Sequence, residues 1–151
     1  MKPYLYAPGV GKTRAVIHDL IAIQQRGRPS IIAVPTLKLM EEIASTVTNT
    51  GGLAAIEYSA KFAEIEGNSL IYVTTHSYIA RLCFGNFPQN AVVVVDECHK
   101  MKTRTIRDVV NAAIFANGWS VLMTATPSER MKDLDAFLKT VPAEPMPNLV
   151  P

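Results

Sequence analysis

The sequence predicts an α/β fold, a mostly parallel sheet with helices on both faces. Three observations lead there. Four short apolar runs rich in β-branched residues, at 30–34, 70–73, 91–95 and 119–123, are of strand length. Stretches with helical spacing lie between them, and strands that alternate with helices imply right-handed crossovers and parallel pairing. Residues 92–95 are solid valine rather than alternating, which suits a central strand covered on both faces.

Taken in order, residues 4–6 make a weaker first strand. The clearest helix runs from Lys12 to about Arg26, with Val16, Ile17, Leu20, Ile21 and Ile23 at helical spacing and Gly27 and Pro29 as stop signals. Further helices start near Thr36, Thr75, Thr103 and Ser128, each after one of the four strands. Residues 49–52 and 84–89 read as turns, and 67–69 as a loop before a strand. No internal repeat or low-complexity tract is present. Beyond Val141 the chain carries Pro142, Pro145, Pro147 and Pro151, which suits an extended linker. The expected organisation is one α/β domain over residues 1–141 and a Pro-rich linker over 142–151. Ligands of such a sheet sit at the carboxyl ends of its strands.

Composition narrows the function classes. With 151 residues, 48% of them hydrophobic, the chain can bury one core, which excludes disorder and a collagen-like repeat. No apolar run approaches the ~18 to 20 residues of a membrane span, and the N-terminus lacks the basic-then-apolar layout of a secretion signal. A soluble protein is expected. Cys83 and Cys98 are too few for a disulfide framework, so a reducing, cytoplasmic setting is expected. Net charge is only +2, so a nucleic acid has to be held by local contacts rather than by bulk charge.

Three segments carry chemistry. Residues 7–13, Ala-Pro-Gly-Val-Gly-Lys-Thr, join the first strand to the strongest helix, which is the context of a phosphate-binding loop. Gly9 and Gly11 let backbone N–H groups approach phosphate oxygens, and the helix N-terminus adds partial positive charge. Lys12 would neutralise the β/γ-phosphates, and the Thr13 hydroxyl would ligate Mg²⁺, a hard cation that prefers oxygen donors. The usual pattern has a further glycine five residues before Gly11; that position is Tyr6 here, so the loop is compact.

The valine strand runs straight into Asp96-Glu97-Cys98-His99. Two adjacent carboxylates at the end of an apolar strand suit nucleotide hydrolysis, where one anchors the Mg²⁺ shell and the other orients or deprotonates the attacking water. Cys98 reads as a small buried hydrophobe. His99 beside one cysteine fails as a zinc site on ligand count. The third segment, Met123-Thr124-Ala125-Thr126-Pro127, follows the last strand and offers two hydroxyls at the same sheet edge.

Residues 7–14 (APGVGKTR), 34–37 (VPTL), Thr75-His76 with Arg81-Leu82, 96–99 (DECH) and 124–127 (TATP) occur in the order and spacing of superfamily 2 helicases. The chain resembles their first RecA-like domain from about Tyr4 to Leu138. The compact loop, the Gly-Lys-Thr-Arg ending, the Thr-His segment and MTATP look most like the DExH-box helicase part of flavivirus-type protease-helicase proteins. A viral origin would put the chain in an infected-cell replication complex. The resemblance implies a RecA-like P-loop domain with ATP or another nucleoside triphosphate and Mg²⁺ as cofactors, and a motor that translocates on single-stranded RNA or DNA. By position, Pro8, Gly9, Val10, Gly11, Lys12, Thr13 and Arg14 would bind nucleotide, Thr13 and Asp96 would hold Mg²⁺, and Glu97 would position water. His99, Thr124, Ala125 and Thr126 would couple nucleotide to nucleic acid.

The family usually has arginine after Pro-Thr in its second block, where this chain has Leu37 and then Lys38. It also has a second RecA-like domain, whose arginine completes the ATP site. Its absence from these 151 residues reads the chain as one module that works with such a domain downstream or in trans. Thr36, Lys38, Thr75 and His76, all just after strands, would touch the sugar-phosphate backbone of a single strand without reading its sequence. Thr36 and Thr75 are also plausible helix caps, and the two roles are compatible. Lys100, Lys102, Arg104 and Arg107 read as a solvated helix face, with a phosphate or partner contact as the sharper alternative. Two other functions fit the loop: a phosphotransferase, which needs an acceptor pocket, and a non-catalytic nucleotide-dependent binding module.

Overall fold

The computed structural model describes residues 4–6, 12–56, 71–82 and 88–123. Within them the elements are β1 (Tyr4–Tyr6), α1 (Lys12–Gln25), β2 (Ser30–Val34), α2 (Leu37–Asn49), β3 (Ala54–Ile56), β4 (Ile71–Thr75), α3 (His76–Leu82), β5 (Val92–Val95), a 3-10 turn at Cys98–Lys100, α4 (Thr103–Phe115) and β6 (Trp119–Met123). The described strands form one parallel sheet of order β1-β6-β5-β2-β4-β3.

That order separates the helices by face. The connections β1 to β2 and β2 to β3 run across the sheet in one direction, and the connections β4 to β5 and β5 to β6 run back in the other. With crossovers of one hand, reversing direction puts the helices on the opposite side. Accordingly α1 and α2 pack on one face and α3 and α4 on the other. Side chains alternate along each strand to serve both. Ile32, Val34, Val92, Val94 and Val121 meet Val16, Ile17, Leu20, Met40, Ile43 and Val47. Ile31, Ala33, Val93, Val95 and Leu122 meet Tyr78, Ile79, Ile106, Val109, Val110 and Ala113. Each residue of β5 is buried, which is why valine occupies every position rather than every other one.

The loops and caps follow local chemistry. Thr36 is extended and its hydroxyl accepts from Leu39 N at 3.2 Å, starting α2. Thr75 does the same for α3, accepting from Tyr78 N at 3.2 Å. Helix α1 ends at Gln25, with Gly27 at φ 82° just after it, as the stop signal requires. At the amino end of β6, Gly118 is obligatory: a Cβ there would lie 2.2 Å from the Ala91 carbonyl oxygen. On that same end the Arg28 guanidinium stacks on the Trp119 ring, 4.1 Å from its centroid.

Two strands differ from the sequence reading. Strand β3 falls just beyond the turn expected at 49–52, where no element is expected, because three residues are too few to show a period. Strand β4 runs on through Thr74 and Thr75, whose branched side chains suit the pleat. Helix α4 starts at Thr103 as expected; its cap is Lys102, with no side-chain bond to the helix. The expected helix near Ser128 and the Pro-rich tail lie outside the described residues. No described helix is long and apolar enough to cross a membrane.

Candidate nucleotide site at the carboxyl edge of the sheet

The parallel sheet brings the carboxyl ends of its described strands to one edge, and the described candidate residues follow them there. Helix α1, which opens at Lys12, follows β1; the acidic pair follows β5; β6 lies between. Two strand spacings, about 10 Å, separate β1 from β5. Thr13 sits half-buried in the first turn of α1, and Arg14 is exposed. Residues 7–11, with Pro8, Gly9, Val10 and Gly11, and residues 124–127, with Thr124, Ala125 and Thr126, lie outside the described residues.

The acidic box has a defined backbone. Asp96 N–H donates to the Ala33 carbonyl at 2.9 Å, so Asp96 is still tied to β2 although β5 has ended. Glu97 then takes a left-handed conformation, φ 48° and ψ 46°, which a non-glycine residue adopts only under constraint. Its N–H donates to Asp96 Oδ1 at 2.9 Å. The turn at Cys98–Lys100 follows, and Lys100 Nζ lies 3.7 Å from Glu97 Oε2. The pair is exposed on the lysine side, so its contribution to stability is small.

Burial sets the protonation of the neighbourhood. It pushes the Asp96 carboxyl above the usual carboxylate range, the Glu97 N–H pulls it back, and the adjacent Glu97 charge raises it further. Cys98 is fully buried and its thiol is pushed up to about 12 by desolvation, so it stays a neutral, inert hydrophobe. His99 is half-buried in the 3-10 turn.

The donor set suits a magnesium-nucleotide better than a protein-only cage. Among the described residues no group of three or more His, Cys, Asp and Glu side chains is arranged to hold a metal. Mg²⁺ takes one or two carboxylates and completes its shell with phosphate oxygens and water, so Asp96 with a hydroxyl such as Thr13 is the kind of set it uses.

The other half of the edge is formed by the ends of β2 and β4. Thr36 and Lys38 are exposed there, and Thr75 and His76 are half-buried. Leu37, where an arginine is usual, is 60% exposed. His76 does not simply face outward: its Nε2 lies 2.7 Å from the Asp96 carbonyl oxygen. Because a carbonyl only accepts, that nitrogen carries the proton. Desolvation lowers the His76 pKa from its ordinary value, partly offset by this bond and by Glu97. The sequence reading missed this link, which is not visible before the strand order is known.

Together the doubly wound parallel sheet and the acidic pair at its carboxyl edge define a RecA-like α/β domain. The DEAD/DEAH box helicase family model matches residues 5–134, and the chain belongs to that family. Among solved structures it is similar to the UvsW helicase of bacteriophage T4, at 14% identity and TM-score 0.63, over 91% of this chain and 51% of that one. It is also similar to the C-terminal domain of the DEAD-box protein Dbp5, at 13% identity and TM-score 0.57, over 91% and 82%. The Sulfolobus solfataricus SWI2/SNF2 ATPase core, solved with double-stranded DNA, matches at 22% identity and TM-score 0.55, over 83% and 28%. At these identities the likenesses show the fold. The chain spans about half the length of the UvsW structure. Among curated protein sequences there is no match.

Proposed function

We propose that this chain is the first RecA-like domain, residues 1–141, of a DExH-type helicase, which binds ATP or another nucleoside triphosphate with Mg²⁺ and couples its hydrolysis to movement on single-stranded RNA or DNA. Family membership supports the general reading. The observation that carries the specific one is the shared edge: the start of α1 and the Asp96-Glu97 pair flank β6, while the ends of β2 and β4 continue the same edge. The DECH residues and the compact loop favour the DExH subtype and the likeness to flavivirus-type helicases.

In this reading Lys12 and the backbone of residues 8–14 hold the phosphates, and Thr13 and Asp96 hold Mg²⁺. The cation supplies charge neutralisation on the β- and γ-phosphates. Glu97, held beside Asp96 by a one-residue turn, orients and accepts a proton from the attacking water. His99 and residues 124–126 relay the state of the nucleotide toward the other half of the edge. Thr36, Lys38, Thr75 and His76 make that half, with phosphate contacts that carry no sequence preference. A second RecA-like domain, joined through residues 142–151 or supplied in trans, would add the missing arginine.

Two variants separate binding from chemistry. Lys12→Ala should abolish Mg-ATP binding measured by calorimetry while circular dichroism stays native, because it removes the main cation facing the phosphates. Glu97→Gln should keep binding and lose hydrolysis, since it preserves shape but not the base. Unchanged affinity in Lys12→Ala would sink the nucleotide site. Stimulation of the wild-type triphosphatase by single-stranded RNA or DNA is expected of a motor and not of a phosphotransferase.

A further inference from the structure

Asp96 has a backbone carbonyl that the sheet itself cannot satisfy. In a parallel ladder each bonded residue donates its N–H to one carbonyl of the neighbouring strand and accepts the N–H that lies two residues further along it. Between β5 and β2 this pattern begins with Val92 N donating to Pro29 O at 3.0 Å and ends with Asp96 N donating to Ala33 O at 2.9 Å. The donor due at the Asp96 carbonyl is therefore the N–H of residue 35. Residue 35 is proline, which has none. His76 takes its place, with Nε2 at 2.7 Å from that oxygen. The ring comes from the opposite side of β2: it follows β4, whose Thr75 pairs with Val34, so His76 stands level with Pro35.

We propose that His76 is a positioning residue for the acidic box, supplying the hydrogen bond that Pro35 cannot and thereby fixing the Asp96-Glu97 peptide. The proposal rests on the reading of Asp96 and Glu97 as the hydrolytic pair. Glu97 is left-handed, and its N–H must point back at Asp96 Oδ1 for both carboxylates to keep their places. With the Asp96 carbonyl unpaired, the intervening peptide is free to rotate toward the extended conformation that a glutamate prefers. The same bond gives the strand-contacting half of the edge a direct mechanical link to the hydrolytic half. Displacing Thr75 and His76 by even part of a hydrogen-bond length is felt at Asp96.

The geometry offers a rescue, which a merely space-filling role for the ring would not. His76→Ala removes the donor, His76→Gln retains an N–H at similar reach, and Pro35→Ala restores the backbone donor. We would measure single-turnover ATP hydrolysis and Mg-ATP affinity in His76→Ala, His76→Gln, Pro35→Ala and the His76→Ala/Pro35→Ala double variant. Thermal unfolding of each would report the folded fraction. His76→Ala should slow turnover roughly 10- to 100-fold, as loss of an outer-shell partner does, with a smaller loss of affinity. His76→Gln should keep most of the rate, and Pro35→Ala should recover much of it in the alanine background. Long-range nitrogen-proton correlation should show His76 with its proton on Nε2. A double variant no faster than His76→Ala overturns the proposal, as does a proton on Nδ1, or wild-type turnover in His76→Ala while Glu97→Gln is inactive. If Lys12→Ala and Glu97→Gln are also without effect, the nucleotide reading fails first and takes this proposal with it.

Discussion

Among the described residues Asp96 gains no cationic partner that offsets the water it loses on folding, and its carboxyl is held above its ordinary range mainly by that burial. The linkage has a definite sign. A carboxyl whose folded pKa exceeds its unfolded value favours the native state only while protonated, so its charge costs stability once the pH has risen through both values. Asp96→Asn keeps an oxygen to accept the Glu97 N–H and removes the charge. It should raise the thermal midpoint at pH 7, lose that advantage as the pH falls below the ordinary aspartate range, and abolish Mg-dependent ATP binding. A lower midpoint at pH 7 in a calorimetric scan would contradict the assignment of Asp96 as a desolvated, functionally retained charge. Glu97 carries a related cost, because a left-handed backbone is about 1–2 kcal/mol unfavourable for a residue with a Cβ. In the proposed reading both residues stand where stability is traded for chemistry. The sequence made their types and adjacency legible, since two acids after four valines are conspicuous, but nothing in it signals the turn that sets them or the histidine 20 residues earlier that reaches them.

Elements in this fold are legible in proportion to their length and burial. The stripe of Val16, Ile17, Leu20, Ile21 and Ile23 in α1 and the valines of β5 repeat often enough to report a helix and a central strand. Three-residue β3 does not. Among the described strands it is an edge strand, paired with β4, and much of what holds its entry comes from elsewhere in the chain. The Gln24 amide, on α1, treats the Leu53 backbone as another strand would: Nε2 donates to Leu53 O at 2.8 Å and Leu53 N donates to Oε1 at 2.9 Å. Leu53 O also accepts from Ile71 N at 3.0 Å, so the glutamine closes a corner between α1, β3 and β4. Gln24→Ala should therefore destabilise the domain by about 1–3 kcal/mol in urea denaturation, two bonds lost and backbone groups left partly unpaired. Gln24→Glu should cost at least as much at neutral pH, since it turns the donor into a charged acceptor facing a carbonyl. Amide exchange at Leu53 and Ile71 should accelerate in both variants; unchanged exchange there would mean that β3 is held by its pairing alone.

At the scale of the whole chain, the order of strands is what assembles the site, and it is the part that no local pattern reports. The sequence supports alternation of strand and helix, hence a parallel sheet, but α1 carries the chain from the edge strand β1 past β6 and β5 to β2, and such crossovers leave no periodic trace. Once the order is known, the described candidate residues fall on one edge, with the start of α1 and the Asp96-Glu97 pair on the β1-β6-β5 side and Thr36, Lys38, Thr75 and His76 on the β2-β4 side. That edge is one half of an interface in the proposed motor. Translocation needs two bodies that close on nucleotide and reopen, so that the grip on the strand alternates between them; a single domain has nothing to move against. In the proposed motor an arginine from the second body adds ~10³ to 10⁵ in phosphoryl-transfer rate. We therefore expect a polypeptide of residues 1–151 to bind Mg-ATP, to hydrolyse it slowly and to leave a duplex intact. Joining a second RecA-like domain after residue 151, or adding one in trans, should raise turnover by a hundredfold or more on the order set by the arginine, and should make it responsive to single-stranded nucleic acid. Substituting that domain's arginine by alanine should cancel the gain. Robust unwinding by residues 1–151 at concentrations where sedimentation shows a monomer would mean that both halves of the motor's work reside in this one sheet.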